Sequence, residues 1–258
     1  IGRLVPQIVY YVYAYAKLFE NGEIEKDETI NVTVPTGNFG NILAAYFAKR
    51  MGLPIKTLIC ASNDNKVLYD FFTTGTYDRK REFILTNSPS MDILISSNLE
   101  RLIYLSAGCD ASVSAALMRE LSENGSYTVT DEMRRFMEDF VGGYADQKQN
   151  ADTIRRIFKD TGYLVDTHTG VAAAVYYDYA NRTGDTAKTV IASTASPFKF
   201  SRSVMEAVQG ADETGAMDEF AVVDALSSLS GVPVPQAVEE IRTAPVRHNL
   251  ECDVDRMK

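Results

Sequence analysis

A β-branched run, Thr29-Ile30-Asn31-Val32-Thr33-Val34, passes directly into a loop with two glycines, Pro35-Thr36-Gly37-Asn38-Phe39-Gly40-Asn41, and then into a helical pattern from Ile42. A loop of this kind between a strand and a helix can turn several backbone N–H groups toward one point. The positive end of the helix dipole reinforces them, and the result suits a phosphate. The loop therefore points to a phosphorylated ligand or cofactor without naming one. It also fits an ordinary strand-to-helix turn with an asparagine capping the helix.

The loop excludes two common nucleotide motifs. A P-loop needs Gly, four residues and then Gly-Lys-Ser/Thr, and no Gly-Lys pair follows Gly40. A dinucleotide fingerprint needs Gly-x-Gly-x-x-Gly, whereas Gly37 and Gly40 stand three apart with Phe39 between them. Asp64, just past the next strand-like run, can imitate a ribose-binding acid, so a nucleotide reading stays open.

Type alternates along the chain. A helix is expected at about 3–20, with Leu4, Val5, Ile8, Val9 and Val12 as one apolar stripe. After the strand at 29–34, a helix at about 41–51 puts Leu43, Ala44, Phe47, Ala48 and Met51 on one face. Pro54 to Cys60 is the next strand-like run, followed by helices at about 65–72, 97–106, 110–122 and 150–160. An alanine-rich helix at about 169–180 leads to the β-branched Thr189-Val190-Ile191, and two helices broken by Gly231-Val232-Pro233 occupy 218–241. Strands separated by helices imply an α/β fold: an open, mostly parallel sheet covered on both faces. No linker interrupts it, so 1–258 reads as one α/β domain.

The net charge of −9 and pI near 4.9 argue against a nucleic-acid or membrane-surface partner. No apolar run approaches the roughly 20 residues of a membrane span. Cys60, Cys109 and Cys252 are far apart, which fits a reducing, cytoplasmic setting and neither a disulfide framework nor a zinc site.

Four further segments carry hydrogen-bonding groups at expected strand or helix ends. They are Ala61-Ser62-Asn63-Asp64-Asn65, Thr86-Asn87-Ser88-Pro89-Ser90-Met91-Asp92, Asp166-Thr167-His168-Thr169-Gly170 and Ala192-Ser193-Thr194-Ala195-Ser196-Pro197. Each also has a plain structural use. Asn63–Asn65 fits a helix cap, Ser88-Pro89-Ser90 a turn, His168 a capping or packing residue, and Thr194 a strand-end hydroxyl. His248 lies in a polar tail. No nucleophile elbow and no histidine or cysteine cluster occurs.

Pro-Thr-Gly-Asn-Phe-Gly-Asn, Ala-Ser-Asn-Asp-Asn, Ser-Pro-Ser-Met-Asp-Ile, Asp-Thr-His-Thr-Gly and Ser-Thr-Ala-Ser-Pro-Phe-Lys-Phe occur here in that order. Together they resemble the C-terminal half or more of threonine synthase, a pyridoxal-phosphate enzyme of the fold-type II group. The opening Ile1-Gly2-Arg3-Leu4-Val5-Pro6-Gln7-Ile8-Val9-Tyr10-Tyr11 resembles an interior helix of that family. The resemblance implies that Gly37, Asn38, Phe39, Gly40 and Asn41 hold the cofactor phosphate and that Thr194 faces the pyridine nitrogen. It places Asn63, Asp64, Asn65, Ser88 and Ser90 near the amino-acid substrate. Ser196 stands where many relatives carry histidine.

The implied reaction converts O-phosphohomoserine and water into threonine and phosphate, a carbon–oxygen lyase activity on a phosphate. It requires a Schiff-base lysine, which in the family lies well before the glycine loop in a Ser-Phe-Lys-Asp-like segment. The only lysines before Gly37 are Lys17 and Lys26, in unrelated contexts, and Lys199 follows Pro197. The expectation is a portion of the parent enzyme that carries the phosphate and ring contacts, contains no catalytic residue of its own and is inactive alone. Another fold-type II lyase of the threonine dehydratase kind stays open, as does a noncatalytic phosphate-binding relative. The sequence is silent on oligomeric state.

Overall fold

The computed structural model describes residues 2–257; Ile1, the first residue of the family-like opening segment, lies outside them. The alternation of types is realised in order. Helix α1 (Val5–Glu20) leads to strand β1 (Ile30–Pro35), and the glycine loop opens α2 (Gly40–Arg50). Strand β2 (Ile55–Ser62), α3 (Val67–Thr74) and the short β3 (Thr76–Asp78) follow. After a long irregular segment come α4 (Leu99–Ser106), α5 (Ala111–Asn124), β4 (Ser126–Thr128), α6 (Asp131–Phe136) and β5 (Phe140–Tyr144). The remainder comprises α7 (Gln147–Thr161), α8 (Thr167–Thr183), β6 (Thr189–Ile191), α9 (Ser201–Gln209), α10 (Glu219–Ser230) and α11 (Gln236–Thr243).

Four strands form one parallel sheet in the order β5-β2-β1-β6, and β3 and β4 make a separate antiparallel ribbon. Both faces of the sheet are covered, as its apolar strands require. Leu58, Cys60, Val32 and Val34 point to the side packed by α1 to α3, and Ile59 and Ala61 point to the side packed by α8. A further cluster, centred on Ile154, Val204 and Leu226, joins α7, α9 and α10. The fold is thus the expected α/β arrangement. Among the described residues, no helix is long and apolar enough to cross a membrane and no cluster of acidic, histidine and cysteine side chains could hold a metal ion.

The expected apolar stripe of α1 is corrected at its three valines. Val5, Val9 and Val12 are exposed, at 51%, 62% and 46%, whereas Leu4 and Tyr11 are buried and Ile8, Tyr15 and Leu18 pack beside them. The helix is apolar almost all round, so periodicity alone does not choose its buried side. Met51 likewise leaves the buried face of α2: it is the C-cap residue and 74% exposed, while Leu43, Ala44 and Ala48 are buried.

Strand β5 and the β3–β4 ribbon have no counterpart in the sequence expectations. The Gly142-Gly143 pair in β5 hides its β signal but is required by close packing. A Cβ at Gly143 would fall 2.4 Å from Val175 Cγ1 on α8, and one at Gly142 3.1 Å from Tyr69 Cα on α3. The expected asparagine caps are also corrected. The N-cap residues of α2 and α3 are Phe39 and Lys66, and neither makes a side-chain cap.

Asp185 ties the base of the sheet together. Its carboxylate accepts from Asn31 Nδ2 on β1 at 3.0 Å, from Lys56 Nζ on β2 at 2.9 Å, from Tyr179 Oη on α8 at 2.9 Å and from the Ala187 N–H at 3.0 Å. The Lys56 hydrogen bond above all, assisted by the Ala187, Asn31 and Tyr179 donors, outweighs burial and holds the carboxyl well below the usual carboxylate range. Lys56 is half exposed, so its ion pair is screened and the other donors carry more of the stability. The group binds protons less well folded than unfolded. Its contribution is therefore complete above the ordinary carboxylate pKa and is lost as pH falls through the folded value. Asp185→Asn is expected to lower stability near neutral pH by about 2 kcal/mol. It should also reduce the further loss between about pH 5 and about pH 2. Urea melts at both ends test this; an unchanged acid limb would refute it.

Candidate functional site

The glycine loop lies at the carboxyl edge of the sheet, where open α/β sheets bind ligands. Phe39 gives it its shape. This residue has φ +64°, in the left-handed region that a bulky side chain rarely adopts, and its ring is buried. It packs beside Phe72 and Phe140, with ring centroids 5.9 and 5.6 Å away. The aromatic contacts hold Phe39 in a conformation that turns the chain sharply into the first turn of α2.

The loop's carbonyls are engaged by the segment that starts α4. Ser96 Oγ donates to Gly37 O at 2.7 Å, while the Asn98 N–H and Nδ2 donate to Asn38 O at 3.1 and 2.7 Å. Tyr11 on α1 donates its hydroxyl to Asn41 Oδ1, and burial raises the Tyr11 pKa above its ordinary value. Among the described residues, by contrast, no hydrogen bond within the chain uses the N–H groups of Gly37, Asn38, Phe39, Gly40 and Asn41. Five unspent donors beside the start of a helix are an arrangement that suits an anion, and they line a concavity.

That concavity opens into a cavity of about 650 Å³ lined by the loop, Ser90, Ser97 and Asn98, and by the guanidinium-bearing Arg3 and Arg101. Ser90 forms its nearest wall. A Cβ at Gly37 would lie 2.7 Å from Ser90 O and 3.3 Å from Met91 Cα. Only glycine lets the two backbones come this close. Lys17, Lys26 and Lys199 do not line the cavity; all three are exposed, and Lys17 pairs with Glu20 at 2.6 Å.

The Asn63–Asn65 and Thr86–Asp92 segments are brought together, with Asp92 as their hub. Asp92 Oδ1 accepts from Asn63 Nδ2 at 2.7 Å, Asn65 Nδ2 at 3.0 Å and Thr86 Oγ1 at 2.7 Å, and its Oδ2 accepts from the Thr86 N–H at 2.9 Å. Asn63 also donates to Ser88 Oγ at 3.0 Å, and the Asn65 amide group brackets Ile84 through both its N–H and C=O. Asn63, Asn65 and Ser88 are buried and outside the cavity lining, Asn63 bonded to Ser88 and Asn65 to Ile84 and Asp92; Ser90 is exposed at the cavity. Asp64 sits apart from this hub, its pKa raised by burial and then by the Asp146 carboxylate.

Thr194 follows β6 at the same sheet edge, exposed and not part of the cavity lining. The hydroxyl of its neighbour Ser193 lies 3.2 Å from Thr169 Oγ1. Ser196 caps the turn Pro197–Phe200 by accepting from the Phe198 N–H at 3.2 Å. His248 lies exposed in the tail.

Sequence reasoning missed Tyr11, Ser96, Asn98, Arg3 and Arg101. Ser96-Ser97-Asn98 before a helical run was a legible capping signal, although what it satisfies is the glycine loop and not its own helix. Nothing in the spacing marks Arg3 or Tyr11.

Comparison with known proteins places this geometry in a family. Residues 169–247 match the family model "Threonine synthase, C-terminal". The human protein named threonine synthase-like 1 is 42% identical over 81% of this chain, which covers 28% of that protein. A solved threonine synthase from Brucella melitensis with bound pyridoxal phosphate superposes with TM-score 0.73 at 40% identity, over 81% of this chain and 43% of that one. Yeast threonine synthase superposes with TM-score 0.78 at 30% identity, over 93% of this chain and 47% of its own. The chain thus spans less than half the length of each of these relatives. With the glycine loop, the parallel sheet behind it and these similarities together, the chain belongs to the threonine synthase family.

Proposed function

We propose that this chain supplies the phosphate-binding and substrate-facing part of a threonine synthase, a pyridoxal-phosphate-dependent lyase acting on O-phosphohomoserine. The observation that carries the proposal is the set of five unspent N–H groups from Gly37 to Asn41, facing a cavity with Arg3 and Arg101 on its wall. The residues fit the cofactor's phosphate: the donors are fixed, the helix start adds positive potential, and the Gly37 cradle leaves room that a side chain would fill.

When bound, pyridoxal phosphate supplies an electron sink for carbanion chemistry. The chain's own residues do the rest of the work assigned here. Gly37, Asn38, Phe39, Gly40 and Asn41 bind and orient a phosphate, and Thr194 presents a hydroxyl at the same sheet edge. A hydroxyl there, unlike a carboxylate, does not enforce a proton on a ring nitrogen. Asn63, Asn65 and Ser88 support the substrate-side wall from behind through the Asp92 hub, Ser90 borders the substrate, and Asp64 is assigned to the substrate through the family resemblance alone. Arg3 and Arg101 add positive charge for a doubly phosphorylated pair of ligands.

Calorimetric titration of the 258-residue chain tests the proposal. Pyridoxal phosphate and inorganic phosphate should bind, and pyridoxal, which lacks the phosphate, should bind at least about tenfold more weakly. Equal binding of pyridoxal and pyridoxal phosphate would remove the loop from the account. Threonine formation from O-phosphohomoserine by this chain alone should be absent; its appearance would overturn the assignment of the lysine to another part of the parent.

That none of Lys17, Lys26 and Lys199 lines the cavity leaves room for a second reading. In it the phosphate site persists in a noncatalytic parent protein. A parent that binds pyridoxal phosphate yet retains no lysine-linked label after borohydride reduction would favour this reading over the lyase.

A further inference from the structure

His168 takes no part in the phosphate site described above, yet it is buried at 2% exposure and held on both ring nitrogens. Nδ1 lies 3.0 Å from Asp166 Oδ1, and Nε2 lies 3.2 Å from the backbone nitrogen of Ser90, 78 positions earlier in the chain. A backbone N–H can only donate. Nε2 is therefore the acceptor, and the ring proton sits on Nδ1 and is donated to Asp166. The ring also packs against Phe200, with centroids 5.0 Å apart, so little rotational freedom is left.

Asp166 is as firmly fixed. It caps α8, accepting from the His168 and Thr169 N–H groups at 2.8 and 3.4 Å and from the Thr169 hydroxyl. The pair thus forms a rigid extension of α8 that ends at the Ser90 amide. That amide belongs to the turn Pro89–Met91, whose carbonyl at Ser90 is the atom pressed over Gly37. Ser88 and Asp92, on either side of this turn, are held by the Asn63–Asn65 network; the tip is held by His168.

We infer that the Asp166–His168 pair is a positioning device that fixes the Ser90 tip over Gly37, and so sets the shape of the cavity presented to a phosphorylated ligand. The inference rests on the phosphate reading of the glycine loop for its ligand, though not for its geometry. His168 is not among the cavity's lining residues, so it acts through Ser90 as a positioning residue.

The test uses the nitrogen-15-labelled 258-residue chain and the variants His168→Phe and His168→Gln. The unaltered chain should show a scalar coupling across the hydrogen bond between Ser90 N and His168 Nε2. Phenylalanine keeps the packing against Phe200 but offers no acceptor. It should shift the Gly37 and Ser90 amide resonances and weaken pyridoxal phosphate binding about tenfold. Glutamine places an oxygen acceptor near the position of Nε2 and should restore affinity to within about threefold of the unaltered chain. Both variants perturb the Asp166 contact, so their thermal midpoints should fall by similar amounts.

Unequal affinity at equal stability is the signature of positioning. Equal affinities, an unmoved Gly37 amide or no Ser90–His168 coupling would overturn the inference. If the unaltered chain binds no pyridoxal phosphate, the cofactor reading falls. The coupling and the Gly37 shift then decide the strut by themselves, their presence upholding it and their absence overturning it. His168→Gln and the coupling stand even where the phenylalanine variant does not fold.

Discussion

Gly37→Ala is expected to weaken pyridoxal phosphate binding by about 100-fold, whereas Gly40→Ala should leave it within about threefold. The two glycines differ in what surrounds them. A methyl group at residue 37 would meet Ser90 O at 2.7 Å and Met91 Cα at 3.3 Å, and both are backbone atoms that cannot rotate away. Either the loop or the Pro89–Met91 turn must shift, and the unspent N–H groups lose their common focus. Hydrogen bonds to a charged group contribute about 1.5–3 kcal/mol each, so misaligning two of them accounts for the expected loss. A methyl at residue 40 would meet only Asn98 Nδ2 at 3.5 Å, an ordinary contact. Calorimetry on the two variants decides the matter; equal affinities would show that the closeness of Ser90 and Gly37 is irrelevant to binding.

Asp166→Ala is expected to lower folding stability by about 4 kcal/mol, and Asp166→Asn by about half as much. The carboxylate is fully buried, and hydrogen bonds from His168, Thr169 and the His168 N–H outweigh the upward push of burial to hold its pKa below the ordinary value. Alanine leaves two helix-start amides and the His168 Nδ1–H without their acceptor, and the Thr169 hydroxyl with Ser193 alone. Loss of the cap alone is worth about 1 kcal/mol, and the remainder comes from the buried donors. Asparagine keeps one acceptor oxygen for the amides, and Thr169 can still donate to Ser193. Because the carboxyl is harder to protonate folded than unfolded, the difference between the unaltered chain and Asp166→Asn should shrink as pH falls through the folded value. Urea denaturation at several pH values measures this, and near-identical stability for all three proteins would refute it.

The sequence carried the site's main chain better than its side chains. Strands β1 and β6 were visible as β-branched runs and β2 as a strand-like run, and the turn into α2 was marked by its glycines. Strand β5 was concealed by Gly142 and Gly143, which exist because α3 and α8 press on both sides of it. The β3–β4 ribbon has three residues in each strand, too few to display a period. The buried side of α1 was only partly legible: Leu4 and Ile8 keep the expected side, but all three valines are exposed and tyrosines lie on both sides, with Tyr11 buried and its hydroxyl reaching Asn41. Asn63 and Asn65 were legible as part of the site region. Their engagement with Asp92 was not, since it depends on a loop some 20–30 residues away folding back over them. For the same reason nothing local announced that His168 reaches Ser90.

Phe39 makes the glycine loop inseparable from the protein that bears it. Its left-handed backbone is tolerated because the ring is wedged among Phe72 and Phe140, so the ordering of the loop is completed when the aromatic core assembles and not when a ligand arrives. An isolated peptide spanning Pro35 to Asn41 would have the same donors and none of their alignment. The seven-residue motif is therefore not portable: transplanted without its aromatic socket, it becomes an ordinary flexible turn, and the recognition it is credited with belongs as much to Phe72 and Phe140 as to its own glycines.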